Sequence, residues 1–282
     1  MHALSLIILF VFGGLLSLQA QLRLGGHLQS ADTGTPIVYA HIGVLNSGLG
    51  SISDERGDFE ILSRESLSAD QVIQFSAVGF KTAQITVKQL QQDPVVKLKP
   101  QAAVLPEITV SDRHRTRTST GGHYGRSRKV VTGWSYAIGR GGIRTARIKI
   151  PNRATDVVLD QLRFHLAYNE FDSVLFRLHF FYPDANGKLP GDRIPLVEDL
   201  YIHHSGATGD ISFDLQPYDI LVDQDFFAGI EVVRTYGECS SSECLHFSVV
   251  LFKDRIYFRN TITDRWDAHK LGSPAIEVDM RY

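Results

Sequence analysis

The 282-residue sequence is poor in cysteine, with two, and has almost no net charge: Lys+Arg 29 against Asp+Glu 31, a formal −2. Two cysteines exclude a disulfide-dense scaffold. The charge balance removes the overall basic footprint of a nucleic-acid binder. Gly 24 and Pro 10 are too few for a collagen-like or low-complexity chain, and hydrophobic residues at 43% with charged residues at 21% describe an ordinary globular composition. Beyond the N-terminus no run is apolar enough to span a bilayer as a helix. Catalytic signatures are missing too. None of the histidines has Glu three positions on, His-Glu-x-x-His does not occur, and there is no Gly-x-Ser-x-Gly elbow. Gly139-Arg-Gly-Gly142 lacks the strand-turn-helix setting of a phosphate loop. These absences leave a non-enzymatic protein as the first reading, and the length suits about two domains.

Ala3 to Leu18 is uncharged, and small residues lead up to Ala20. The run of about 16 residues is short for a membrane span and is interrupted by Gly13-Gly14, so residues 1–20 resemble a secretory signal peptide cleaved near Ala20. An exported chain meets an oxidising compartment, so Cys239 and Cys244 are expected to form a local disulfide, contributing about 2 kcal/mol because the loop is short.

Apolar residues then recur mostly with period two, the mark of half-buried strands. In the first half the spacing predicts strands over Leu22–Gln29, Val38–Leu45, Asp58–Leu62, Val72–Ala77, Ala83–Val87 and Val95–Leu98, separated by turn-like breaks such as Asp54-Glu-Arg-Gly57. In the second half Val174, Phe176, Leu178 and Phe180 form one apolar face, predicted to be core, while Leu175, Arg177, His179 and Phe181 alternate with them. Further strands are expected at Ala228–Arg234, Leu245–Phe252, Arg255–Arg259 and Ala275–Arg281, about eight to ten in this half. Between the halves, residues 111–129 carry Arg113, Arg115, Arg117, Arg126, Arg128 and Lys129 against the single acid Asp112. With few apolar residues this reads as an exposed basic linker, a solvated hinge or an electrostatic contact with anionic lipid, glycan or an acidic partner.

Four segments of the first half share a pattern: Gly26 to Ala40 around Asp32-Thr-Gly34-Thr-Pro36; Gly50-Ser-Ile-Ser-Asp54-Glu-Arg-Gly57-Asp-Phe59; Phe75-Ser-Ala-Val-Gly79-Phe80; and Val95-Val-Lys-Leu98 through Leu105-Pro-Glu-Ile-Thr-Val110. Together they resemble the carboxypeptidase regulatory-like domain, common at the N-termini of exported and outer-membrane proteins of Bacteroidetes. The resemblance implies a transthyretin-like or Ig-like sandwich over 21–110 and transfers no catalytic residue. Asp54 is expected to accept hydrogen bonds in a tight turn, Gly57 to take positive φ, Phe59 to plug the core and Gly79 to relieve a crowded bend before Phe80. Residues 130–282 loosely resemble jelly-roll accessory domains, through Phe176 to Asp192 and Asp225 to Glu231. The expected fold class is therefore all-β, an N-terminal sandwich plus a jelly-roll-like C-terminal one.

Candidate sites are few. Asp184, Asn186 and Asp192 offer oxygen ligands for calcium, although Asn186-Gly187 is also a turn signal. Trp134, Tyr136, Tyr168 and Trp266 could stack on sugar faces if exposed. Neighbouring His203 and His204 point to opposite faces of a strand and do not readily share a metal. Ile276, Val278, Met280 and Tyr282 alternate like a last outer-membrane barrel strand. The expected function is a non-enzymatic binding or assembly protein of the periplasm or outer membrane, partnered by an outer-membrane protein or a glycan. Alternatives are a carbohydrate-binding accessory protein, a small outer-membrane barrel and a hydrolase of unrecognised type.

Overall fold

The computed structural model describes residues 22–63, 65–101, 117–134, 141–152, 154, 156–206, 208–239 and 244–282. The N-terminal unit contains β1 (Leu22–Ser30), β2 (His41–Val44), β3 (Leu49–Ile52), β4 (Asp58–Ser63), β5 (Val72–Ser76), β6 (Ala83–Thr86), helix α1 (Val87–Gln92) and β7 (Val95–Leu98). One sheet has the order β4-β1-β7 and the other β3-β2-β5-β6. Leu28, Ile42, Phe59, Ile73, Phe75 and Leu98 fill the space between them. Asp54 Oδ1 accepts from the backbone N–H groups of Arg56 and Asp58, both at 2.9 Å, and Gly57 at φ 81° completes the turn that delivers Phe59 to the core. Gly79 differs from expectation: a Cβ there would meet nothing within 4 Å, so glycine serves the φ of 82° and not a crowded bend. The α1 helix replaces the end of an expected strand. Thr86 caps it reciprocally with Gln89, and it buries Val87 and Leu90.

The second half contains β8 (Thr118–His123), β9 (Val131–Trp134), β10 (Ile143–Ile148), β11 (Val157–Asn169), β12 (Ser173–Pro183), β13 (Pro190–Arg193), β14 (Leu200–Ser205), β15 (Gly209–Asp214), β16 (Leu221–Val222), β17 (Phe226–Tyr236), β18 (Leu245–Leu251), β19 (Ile256–Arg259), β20 (Asp267–His269), β21 (Gly272–Pro274) and β22 (Ile276–Arg281). One sheet runs β13-β12-β17-β10-β19-β20 with β14 on β12; the other runs β21-β18-β11-β22-β8, with β15 and β16 on β11 and β9 on β18. Between them lies a core that includes Phe164, Phe176, Phe180, Phe226 and Phe247. Ile276, Val278 and Met280 are at most 1% exposed and belong to that core. This corrects the barrel alternative, because an outer-membrane strand turns its apolar face to lipid and this one turns it inward.

The linker reading is corrected for residues 117–123. Arg113 and Arg115 lie outside the described residues, but Arg117 exchanges backbone hydrogen bonds with Tyr282 and β8 pairs with β22 along its length. Apolar periodicity could not flag this strand because its tightest positions are glycines. A Cβ on Gly121 would lie 2.7 Å from Ile148, and Gly122, at φ 94°, passes so close to β22 that a Cβ would lie 2.4 Å from the Ile276 carbonyl.

Candidate functional site

On β12 the side chains of Leu175, Arg177, His179 and Phe181 point away from the core of the second sandwich, yet all are buried. The first domain covers this outer face at Leu175, Arg177 and His179, while Trp266 and Arg259 of the second half cover Phe181. Ile52, Leu175 and Val233 pack together with Tyr39, Tyr201 and Tyr236 beside them. At the centre is Glu231 on β17, 0% exposed and directly opposite Arg177 in the β12–β17 register.

Both Glu231 oxygens are occupied. Oε1 lies 2.7 Å from Nε2 of His41, on β2 of the first domain, and Oε2 lies 2.6 Å from Nε2 of His179. Arg177 Nε adds an ion pair at 3.3 Å. The Arg177 guanidinium also donates to the Tyr39 carbonyl at 2.6 Å and to Asp199 at 3.2 Å, and Arg193 pairs with Asp199 at 2.7 Å. Tyr39 is held at φ 53°, which presents its carbonyl to Arg177 and its hydroxyl to Glu55. At the rim Glu55 of the first domain pairs with Arg234 and accepts from Tyr236 at 3.0 Å.

Burial would raise the Glu231 carboxyl, but Arg177 foremost, then His41 and His179, hold it well below the usual carboxylate range. Burial lowers the imidazoles, His179 to about 3 and His41 in the same direction, despite the adjoining carboxylate. Burial also acts to lower Arg177, and the Glu231 and Asp199 carboxylates outweigh it, leaving the guanidinium above its ordinary value. The cluster therefore holds Arg177 as a cation, Glu231 and Asp199 as anions, and two neutral imidazoles whose Nε2–H groups donate to Glu231.

His41, His179 and Glu231 present their ligand atoms within 4.8 Å of one another, the donor set of a zinc site. The spacing argues against that use. Tetrahedral ligands at zinc bond lengths stand roughly 3.3 Å apart, whereas the imidazole nitrogens lie 2.6 and 2.7 Å from the carboxylate, hydrogen-bond distances. A dication would also be placed beside the Arg177 guanidinium. The arrangement is a sealed clamp between domains.

The sequence-derived candidates are scattered. Asp184 Oδ1 accepts from the Lys188 and Leu189 amides at 2.8 and 3.1 Å, which pull its pKa down and commit it to the turn. Asn186 lies in that turn and Asp192 on the exposed side of β13. Trp266 is half-buried, its ring edge-on to Phe181 at 5.2 Å and covered by the Arg259 guanidinium at 4.6 Å. Tyr168 is 44% exposed and hydrogen-bonded to Glu170. Trp134 belongs to β9, opposite Leu245, and Tyr136 lies outside the described residues. Among the basic residues, Arg126 is paired with Asp210, Arg128 donates to Thr208 at 3.2 Å, and the Lys129 amide bonds Ser127. Cys239 and Cys244 are joined as a disulfide, with Cα atoms 6.0 Å apart. His203 is exposed and His204 half-buried on β14. A groove of about 750 Å³ beside β8 and β22 is polar, but Asp160 and Asp279 there are already paired with Arg281 and Arg163.

Residues 24–110 match the CarboxypepD_reg-like domain. The carboxypeptidase regulatory-like domain thus supplies His41, Tyr39 and Glu55 to the clamp, and the larger sandwich supplies the rest. No curated protein matches the chain. A chain from a crystal structure of the T13 IBDV viral particle aligns over 93% of this chain at 9% identity and a TM-score of 0.27; this chain covers 61% of that one.

Sequence reasoning missed the clamp. Its one available signal was Glu231 standing as the sole charge in Phe226–Val233, opposite a strand that alternates Arg177 and His179 with core residues.

Proposed function

We propose that the chain is a non-enzymatic exported binding and assembly module of the periplasm or outer membrane, in which the carboxypeptidase regulatory-like domain is fixed onto a jelly-roll-like sandwich. The observation that carries this reading is the His41–Glu231 bond across the domain junction. The acid and both imidazoles that resemble catalytic groups are spent on each other behind buried surface, where they hold two domains in one orientation. A fixed pair of sandwiches presents one composite surface to a partner without an ordering cost on binding. The regulatory-like domain match supports a binding or regulatory role for the first half.

The test is fractionation of cells producing the tagged chain, with mass spectrometry of the product and assays of peptide and polysaccharide turnover. The reading expects a chain beginning near Gln21 in the envelope fraction and no turnover. An unprocessed chain in the cytoplasm, or turnover lost on substitution of a named side chain, overturns it.

A further inference from the structure

Phe252 is 85% exposed and Leu271 is 67% exposed, and Leu251 beside them is 38% exposed. The first two are held together: the Phe252 amide donates to the Leu271 carbonyl at 3.2 Å, at the outer end of the β18–β21 ladder where Leu251 pairs with Gly272. Phe252 is further held at φ 59°, a left-handed conformation unfavourable for a bulky side chain. The fold thus spends backbone strain to keep an aromatic ring in water.

The immediate neighbours are cationic. Lys253 and Lys270 adjoin the two apolar residues and are exposed, as is Arg255. The nearby acid Asp254 is turned onto the Tyr257 hydroxyl at 3.2 Å. Lys149 stands at the same end, since Asp254, Lys253 and Lys149 all act on His123, where β8 ends against β22.

We propose that this tip is a membrane-contact surface, inserting Phe252 and Leu271 into the interfacial layer of an anionic bilayer while Lys253 and Lys270 meet the headgroup phosphates. Size and charge favour a bilayer over a protein partner. A specific protein interface buries about 800 Å² on each side, and three exposed apolar side chains offer much less. A bilayer accepts shallow insertion of a few apolar groups and adds attraction for each adjoining cation. The inference goes beyond the proposed function and is tested separately from it.

The experiment is sedimentation of the full chain with phosphatidylcholine vesicles, with and without phosphatidylglycerol. Binding is expected only with the anionic lipid, weakening as salt is raised. The pair Phe252→Ser with Leu271→Ser should lower partitioning by at least about tenfold, and each of Lys253→Glu and Lys270→Glu by about fivefold or more, with the melting temperature unchanged. Absence of binding to anionic vesicles, or binding indifferent to Phe252→Ser with Leu271→Ser, overturns the proposal. So does a concentration-dependent dimer that the same pair abolishes in the absence of vesicle binding, which assigns the tip to a second copy.

Discussion

His41 and Glu231 are 190 residues apart in sequence and 2.7 Å apart in space, each buried and each from a different domain. Their bond closes a network in which the carboxylate has no oxygen left for solvent. The consequences for stability can be measured.

Replacing Glu231 by Ala removes the carboxylate that joins His41, His179 and Arg177 Nε, and leaves the buried guanidinium with Asp199 but without its second carboxylate partner. The expected loss is about 3–5 kcal/mol by urea unfolding. Glu231→Gln should also destabilise the chain, since an amide keeps the volume but not the charge. A loss below about 1 kcal/mol for Glu231→Ala would show that the network is idle.

Acid should weaken the fold through the same residues. His179 titrates at about 3 in the folded chain and near 6.5 when unfolded, so the unfolded state binds a proton that the folded state refuses. Stability therefore falls as pH drops below about 6.5, by about 2 kcal/mol from this residue alone on reaching pH 4.5. His41 acts in the same direction. Glu231, depressed when folded, adds stability above the unfolded carboxyl pKa that is lost as pH falls further. Protonation gains no hydrogen bond at the second ring nitrogen, because the buried Nδ1 of His179 has no partner among the described residues. Urea midpoints at pH 7, 5.5 and 4.5 check this. His179→Asn should flatten the slope, and an unchanged slope would count against the assignment.

Gly43 meets the loop after β19 so closely that a Cβ would lie 2.5 Å from the Thr263 methyl and 2.6 Å from its hydroxyl. Gly43→Ala should cost about 1–3 kcal/mol by overpacking the junction. Thr263→Ala should recover part of that loss, with a coupling of at least about 0.5 kcal/mol in a double-mutant cycle. Additive effects would mean that the two residues do not press on each other.

Trp266→Ala should behave as a packing defect. Its ring fills space against Phe181 and carries the Arg259 guanidinium, whose pKa burial lowers to about 10. Thermal and urea unfolding should show a loss of about 2–4 kcal/mol. Unchanged stability with loss of binding to a polysaccharide would instead return Trp266 to the role of an exposed sugar platform.

The sequence alone determined the all-β class, the regulatory-like domain and most strand positions, since Val95–Leu98 or Ile276–Arg281 can be read from alternation with a period of two. Local chemistry also made the Asp54–Gly57 turn and the Cys239–Cys244 pairing legible, because each depends on residues close in the chain. Alternation on β12 correctly marked Phe176 and Phe180 as core. It said nothing of what would cover Arg177 and His179 on the opposite face, because a polar face looks the same whether water or another domain lies against it. β8 was hidden for a related reason: glycines packed against Ile148 carry no hydrophobic signal. Only the tertiary structure brought His41 onto Glu231, and the burial of that contact, a property of two domains at once, turned ordinary surface-type residues into the clamp that joins them.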